Sequence, residues 1–118
     1  MGKQPFIIEI ETWCAENYQL FTPGDIKLAV NKVFGLEKEA MRLKDRKAIL
    51  AEARKCYCWF SSRLTSVDKT LIGFKISRDY FTIIKAIDKA NDLLDAGDEM
   101  FSNNIKKVFT ELKQYEKV

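Results

Sequence analysis

The stretch from Ser77 to Lys89 limits the possible folds more than any other part of this chain. A polar and charged opening runs directly into apolar residues at Ile83, Ala86, Ile87, Ala90, Leu93 and Leu94. Their three- and four-residue spacing marks one face of an α-helix. Asp79 is placed to cap that helix by accepting from a free backbone N–H, with Ser77 as the other candidate. Arg78, Tyr80, Phe81 and Thr82 then crowd an exposed first turn, while the later turns are buried. A recognition helix is built this way: its first residues reach base edges and its body packs on the domain.

The flanking sequence supports a helix-turn-helix. Thr65-Ser66-Val67-Asp68 reads as a turn and cap, and Lys69 to Phe74 as a short helix carrying Leu71 and Ile72. The tight connection Gly73-Phe74-Lys75-Ile76-Ser77 leads into the longer helix, which spans 78–94 and closes at Gly97. Upstream, Ala48 to Leu64 is a long helical run with Ile49, Ala53, Cys56, Tyr57, Phe60 and Leu64 as its buried stripe. Asp25 is read as the cap of a helix carrying Ile26, Ala29, Val30 and Val33 and ending at Phe34-Gly35. Residues 37–43 read as a short helix with Leu36, Ala40 and Leu43 inward. Asp98 or Ser102 opens a last amphipathic helix, with Met100, Phe101, Ile105, Val108, Phe109 and Leu112 inward. In the N-terminal stretch, Phe6, Ile10, Trp13, Cys14 and Asn17 fit a helix face, although residues 6–10 also suit a short strand; the helix is the reading adopted.

The expected fold is all-α, a helical bundle with a helix-turn-helix. The expected division is an N-terminal segment, 1–21, that packs on the rest or meets a partner, followed by a helix-turn-helix domain over 22–118. Five Gly and two Pro in 118 residues argue against a loop-rich or all-β chain. No run of about eighteen apolar residues occurs, which excludes a membrane-spanning helix. The start of the chain does not read as a signal-peptide core, because Glu9 and Glu11 interrupt it, so the expected location is the cytoplasm. Histidine is absent, which removes the commonest general base and the commonest zinc ligand. Cys14, Cys56 and Cys58 follow no metal spacing, and Cys56 and Cys58 would point to different faces of a helix; core thiols are the expectation. No phosphate-cradling Gly loop is present. These features argue against an enzyme and imply no cofactor and no metal.

Charge points to a partner instead. The overall balance is only +3, but residues 42–55 carry six Lys and Arg against Asp45 and Glu52, a net of +4. Residues 69–89 carry five against Asp79 and Asp88, a net of +3. An anion would bind at these two central blocks. Arg54 and Lys55 lie near the start of their helix, where a cation does not complement the helix dipole. Such a pair suggests a phosphate contact. Arg78 precedes the recognition helix, where its fixed donors can meet guanine O6 and N7 together. Phosphate contacts are expected from Arg46, Arg54, Lys55 and Lys85. An exposed Phe81 beside Tyr80 is costly to hydrate unless it meets a thymine methyl or a partner protein.

The landmarks together resemble a known family. Arg78-Asp79-Tyr80-Phe81-Thr82-Ile83, followed by Ala86 and Lys89, is similar to the R-D-H-T-T-V…A…K signature of the C-terminal DNA-binding domain of the bacterial replication initiator DnaA. Arg63-Leu64-Thr65 and Ile72-Gly73 stand at that family's E-L-T and I-G. Arg54-Lys55 stands at its R-Q pair, and Lys44-Asp45-Arg46-Lys47 at its basic loop. Phe101-Ser102-Asn103-Asn104-Ile105 resembles its closing helix. The likeness runs over roughly residues 22–115.

The resemblance implies a helical bundle related in shape to Trp repressor, binding double-stranded DNA at short boxes. By position, Arg46 would be the minor-groove arginine and Lys47 would share its basic loop. Arg54 and Lys55 would meet bases or backbone. Arg78 would contact DNA in the major groove, Asp79 would accept from a base amino group, and Thr82 would meet a thymine methyl or a phosphate. Tyr80 and Phe81 replace the family's His and Thr, Lys55 replaces its Gln, and the connection from Gly73 to Arg78 is one residue shorter. The box should therefore differ from the initiator's. With no ATPase domain in this sequence, the implied role is in replication or its regulation, possible settings being a small accessory or mobile-element protein. The competing reading is a protein–protein module that has lost DNA binding, with its partner contact at 1–21 or at Tyr80 and Phe81.

Overall fold

A computed structural model of the protein describes residues 2–115, so the last three positions of the expected 22–118 domain lie outside the described residues. The helical spacings resolve into six helices, α1 (Pro5–Glu16), α2 (Pro23–Phe34), α3 (Ala48–Leu64), α4 (Lys69–Phe74), α5 (Tyr80–Asp95) and α6 (Glu99–Lys113). A single 3₁₀ turn, Ala40–Arg42, lies between α2 and α3, and no strand occurs among the described residues. The chain is all-α, as expected, and residues 6–10 belong to a helix.

Local chemistry sets most of the helix ends. Asp68 accepts from the Thr70 N–H at 2.7 Å, Asp79 from the Thr82 N–H at 2.8 Å, and Asp98 from the Phe101 N–H at 2.9 Å, which caps α4, α5 and α6. The cap of α2 is Thr22 rather than Asp25. Thr22 Oγ1 accepts from the Asp25 N–H while the Asp25 carboxylate accepts from the Thr22 N–H. This reciprocal box moves the cap three residues upstream of the expected one. Gly35 and Gly97 take left-handed φ values of 64° and 73° just past α2 and α5, where a side chain would be strained.

The centre of the molecule is α3, which touches every other helix. The sequence reads as one buried stripe on α3, yet Cys56, Tyr57, Cys58, Trp59, Phe60 and Ser61 are all buried in succession. A helix surrounded by neighbours buries its whole circumference. For the same reason the Cys56 and Cys58 thiols are both buried although they diverge around the helix. Burial pushes the Cys14 and Cys58 thiols up to about 12, so neither is a thiolate near neutrality.

Three expected core residues are instead exposed, Leu43, Ile49 and Met100, and Leu71 of α4 is exposed as well. Ile49 and Met100 sit in the first turns of α3 and α6, and Leu43 lies just past the 3₁₀ turn. The expected 37–43 helix shrinks to that turn, and Met41 rather than Leu43 fills the core.

α1 joins the same core through Ile7, Ile10, Trp13 and Cys14. The Trp13 ring packs on Phe21 at 5.6 Å and edge-on to Phe109 at 5.3 Å. Glu11 pairs with Lys3 at 2.9 Å and with Arg63 at 3.2 Å. The Arg63 guanidinium lies over the Trp59 ring at 5.0 Å. Trp59 Nε1–H donates to Asn91 of α5 at 3.0 Å. A polar chain thus runs from α1 through α3 to α5 and holds the body of α5 in place.

Candidate nucleic-acid interface

α4 and α5 form a helix-turn-helix packed on α3. The buried Tyr57 Oη–H donates to the Ile72 carbonyl at 2.8 Å and ties α4 down. Ile83, Ala90 and Leu94 anchor α5. The turn between them is tight. The Arg78 N–H donates back to the Gly73 carbonyl at 2.9 Å, and Ser77 takes the left-handed region at φ 56°. Gly73 allows this closeness, since a Cβ there would lie 2.2 Å from the Arg78 carbonyl oxygen. A family model described as bacterial dnaA protein helix-turn-helix matches residues 23–90, well over half of the chain.

The chain belongs to the DnaA helix-turn-helix family. The matched residues run from the start of α2 through most of α5, while α1 and α6 lie outside the match and pack on it. No curated protein matches the chain. No helix among the described residues is long and apolar enough to cross a membrane.

Tyr80, Phe81 and Thr82 open α5 and are exposed. Phe81 is 71% exposed and meets Tyr80 edge-on, with ring centroids 5.6 Å apart. Lys85, one turn on, is exposed as well. Asp79 holds the turn together. Its carboxylate accepts from the Thr82 backbone and side chain, which lower its pKa, and the Lys85 charge adds to this.

Lys44-Asp45-Arg46-Lys47, read as the basic loop, falls in the non-helical stretch 43–47 that leads into α3 and lies beside that turn. Lys44 and Arg46 share a cleft of about 370 Å³ with Arg54, Ser77 and Arg78. The two basic blocks of the sequence therefore meet. Arg46 and Lys44 are exposed and make no hydrogen bond or ion pair among the described residues, and Lys47 approaches Asp45 only at 3.8 Å.

Three of the sequence-expected residues are placed differently from the rest. Arg78 is not presented on the first turn. Its Nη2–H donates to the Leu43 carbonyl at 2.6 Å, and its Nη1 donates to the Ile76 and Ser77 carbonyls, both at 3.1 Å, and to Arg42 at 3.4 Å. Arg54 donates from Nε to Met41 at 3.0 Å, from Nη1 to Asp45 at 2.9 Å and from Nη2 to Leu43 at 2.6 Å, all carbonyls. Partial burial and then the adjacent Arg78 charge lower the Arg54 pKa. Lys55 leaves the cleft altogether. It pairs with the buried Glu52 and lies 5.5 Å from the centre of the Phe101 ring, against α6. Sequence reasoning missed the role of backbone carbonyls here. No sequence signal marked these acceptors, because a loop carbonyl without a backbone partner looks like any other until the chain folds.

Proposed function

We propose that this protein binds double-stranded DNA, with sequence preference and no chemistry of its own, in the cytoplasm and in the service of replication or its regulation. The observation that carries this reading is one juxtaposition. The exposed first turn of α5, bearing Tyr80, Phe81 and Thr82, stands beside a loop whose Lys44, Arg46 and Lys47 project to solvent. In such an arrangement the helix enters a major groove and the loop reaches the neighbouring minor groove. Asp79 caps α5 beside these side chains, and Lys85 is placed for a phosphate.

Titration of a labelled random-sequence duplex at several salt concentrations tests the electrostatic part. With Lys44, Arg46, Lys47 and Lys85 on phosphates, the logarithm of the affinity should fall against the logarithm of salt with a slope of roughly −3 to −4, at about −0.9 per phosphate neutralised. Selection from random duplexes tests the preference, with one or two thymine positions expected opposite Phe81. Affinity that ignores salt would remove the DNA reading. The exposed Tyr80–Phe81 pair would then be the place to look for a protein partner.

A further inference from the structure

We infer that Arg54 and Arg78 are positioning residues, which together lock loop 43–47 onto the start of α5 and so fix the spacing between minor-groove and major-groove contacts. The inference rests on the DNA-binding reading and assigns these two arginines a role other than touching DNA.

Residues 43–47 belong to no helix. Their backbone bonds are few: the Leu43 N–H reaches the Ala40 carbonyl, the Lys47 N–H reaches the Asp45 carboxylate, and the Lys47 carbonyl accepts from the Leu50 and Ala51 N–H groups at the start of α3. The carbonyls of Met41, Leu43 and Asp45 find their partner in Arg54, and those of Arg42 and Leu43 in Arg78. The Leu43 carbonyl accepts from both guanidinium groups, each at 2.6 Å. Two like charges converge on one oxygen, and the carbonyls around them together with the Asp45 carboxylate in the same cleft offset their repulsion.

The donor inventory favours loop and turn carbonyls, rather than bases, as the partners of both arginines in this arrangement. A guanidinium has five N–H donors in a fixed plane. Arg54 has all three nitrogens engaged, and Arg78 has both terminal nitrogens engaged. A bidentate grip on guanine needs two adjacent N–H groups free on one edge, and the Nη1–Nη2 edge of Arg78 is given to carbonyls. Arg78 also bonds the carbonyls of Ile76 and Ser77, the last of which is the left-handed residue of the turn. One side chain therefore grips the helix-turn-helix turn and the basic loop at once. The loop that carries Lys44 and Arg46 is held at a set distance from Tyr80, Phe81 and Thr82.

Lysine substitutions separate positioning from direct contact, because they keep the charge and lose the planar fork. Arg54→Lys and Arg78→Lys are first checked for wild-type helical content and cooperative melting. Backbone ¹⁵N order parameters for residues 44–47 in the free protein should then fall from roughly 0.8 in wild type to below about 0.6 in each variant, the range of a flexible segment. On the preferred duplex the salt slope should stay at the wild-type value in both the Lys and the Ala variants, since no phosphate contact is lost. Discrimination against guanine-to-inosine replacement, which alters only the minor groove, should drop at least fivefold. Discrimination against thymine-to-uracil replacement, which alters only the major groove, should be kept. The inference is overturned if Lys variants bind as wild type while Ala variants flatten the slope by about one unit. It is also overturned if the loop stays rigid, or if it loosens with both discriminations unchanged. Failure of the wild-type protein to bind any duplex would sink the DNA reading instead, and the order parameters would still decide whether the arginines hold the loop.

Discussion

Gly73→Ala is the most direct challenge to the turn on which the helix-turn-helix depends. The added Cβ would stand 2.2 Å from the Arg78 carbonyl oxygen and 3.0 Å from Ile83 Cγ1. Carbon and carbonyl oxygen settle at about 3.3–3.6 Å even in their closest favourable contacts. The start of α5 must therefore retreat from α4 by about 1 Å. The obstructing atom is backbone, so no rotamer change relieves it. Retreat also stretches the bonds that Arg78 N–H and Ile76 N–H make to the Gly73 carbonyl, at 2.9 and 3.0 Å. Overpacking against a fixed neighbour costs about 1–3 kcal/mol. Weakening two turn bonds adds about 0.5–1.5 kcal/mol each, and the lower unfolded-state entropy of Ala returns about 0.4–1 kcal/mol. The net expectation is a loss of about 2–4 kcal/mol, which lowers the melting temperature by roughly 10–15 °C for a chain of this size. Denaturant and thermal unfolding followed by circular dichroism measure it. Gly24→Ala is the internal control. Its Cβ would meet nothing closer than Thr22 Oγ1 at 3.6 Å, and it lies in the first turn of α2, so it should be neutral or slightly stabilising. A Gly73→Ala protein within about 0.5 kcal/mol of wild type would refute the steric reasoning.

Other substitutions probe neighbouring parts of the same architecture. Ser77→Gly should stabilise by about 0.5–1 kcal/mol, the cost of a left-handed L-residue less the added freedom of Gly; a lower denaturation midpoint would contradict the strain. Tyr57→Phe leaves the Ile72 carbonyl buried without its donor and should cost about 1–2 kcal/mol by denaturant titration, with the largest chemical-shift changes in α4. The Asp79 pKa is depressed by the Thr82 bonds, so its contribution to stability is full above the ordinary aspartate range and disappears as pH falls through the lowered value. Asp79→Asn keeps a cap without titrating and should flatten the acid limb of melting temperature against pH, and an unchanged limb would exclude Asp79 as its source. Replacing Tyr80 with His together with Phe81 with Thr should move base preference toward the initiator's box in side-by-side selections; identical preferences would mean that this turn does not read DNA.

Local chemistry made much of this protein legible from its residues alone. A short-range pattern is enough to mark α3, α4 and α5, because helical period and capping act within four residues. Asp68, Asp79 and Asp98 cap from the adjacent turn, and Gly35 and Gly97 end helices because they alone take left-handed φ without strain. The order of turn, short helix and long helix made the helix-turn-helix readable for the same reason. Tertiary structure decided which apolar residues are covered. Ile49, Leu71 and Met100 have the right period but no neighbour over them, while Trp59 and Met41 are enclosed because other elements close around them. Amphipathic spacing says which side of a helix is apolar and nothing of how far the neighbouring helix extends. The destination of the arginines was also set in three dimensions. Arg54 and Arg78 look alike in sequence to Arg46, but their guanidinium groups find the carbonyls of residues 41–45 across separations of 9 to 36 residues. An unpaired carbonyl in a loop leaves no mark in the sequence, and only the folded chain brings a donor to it.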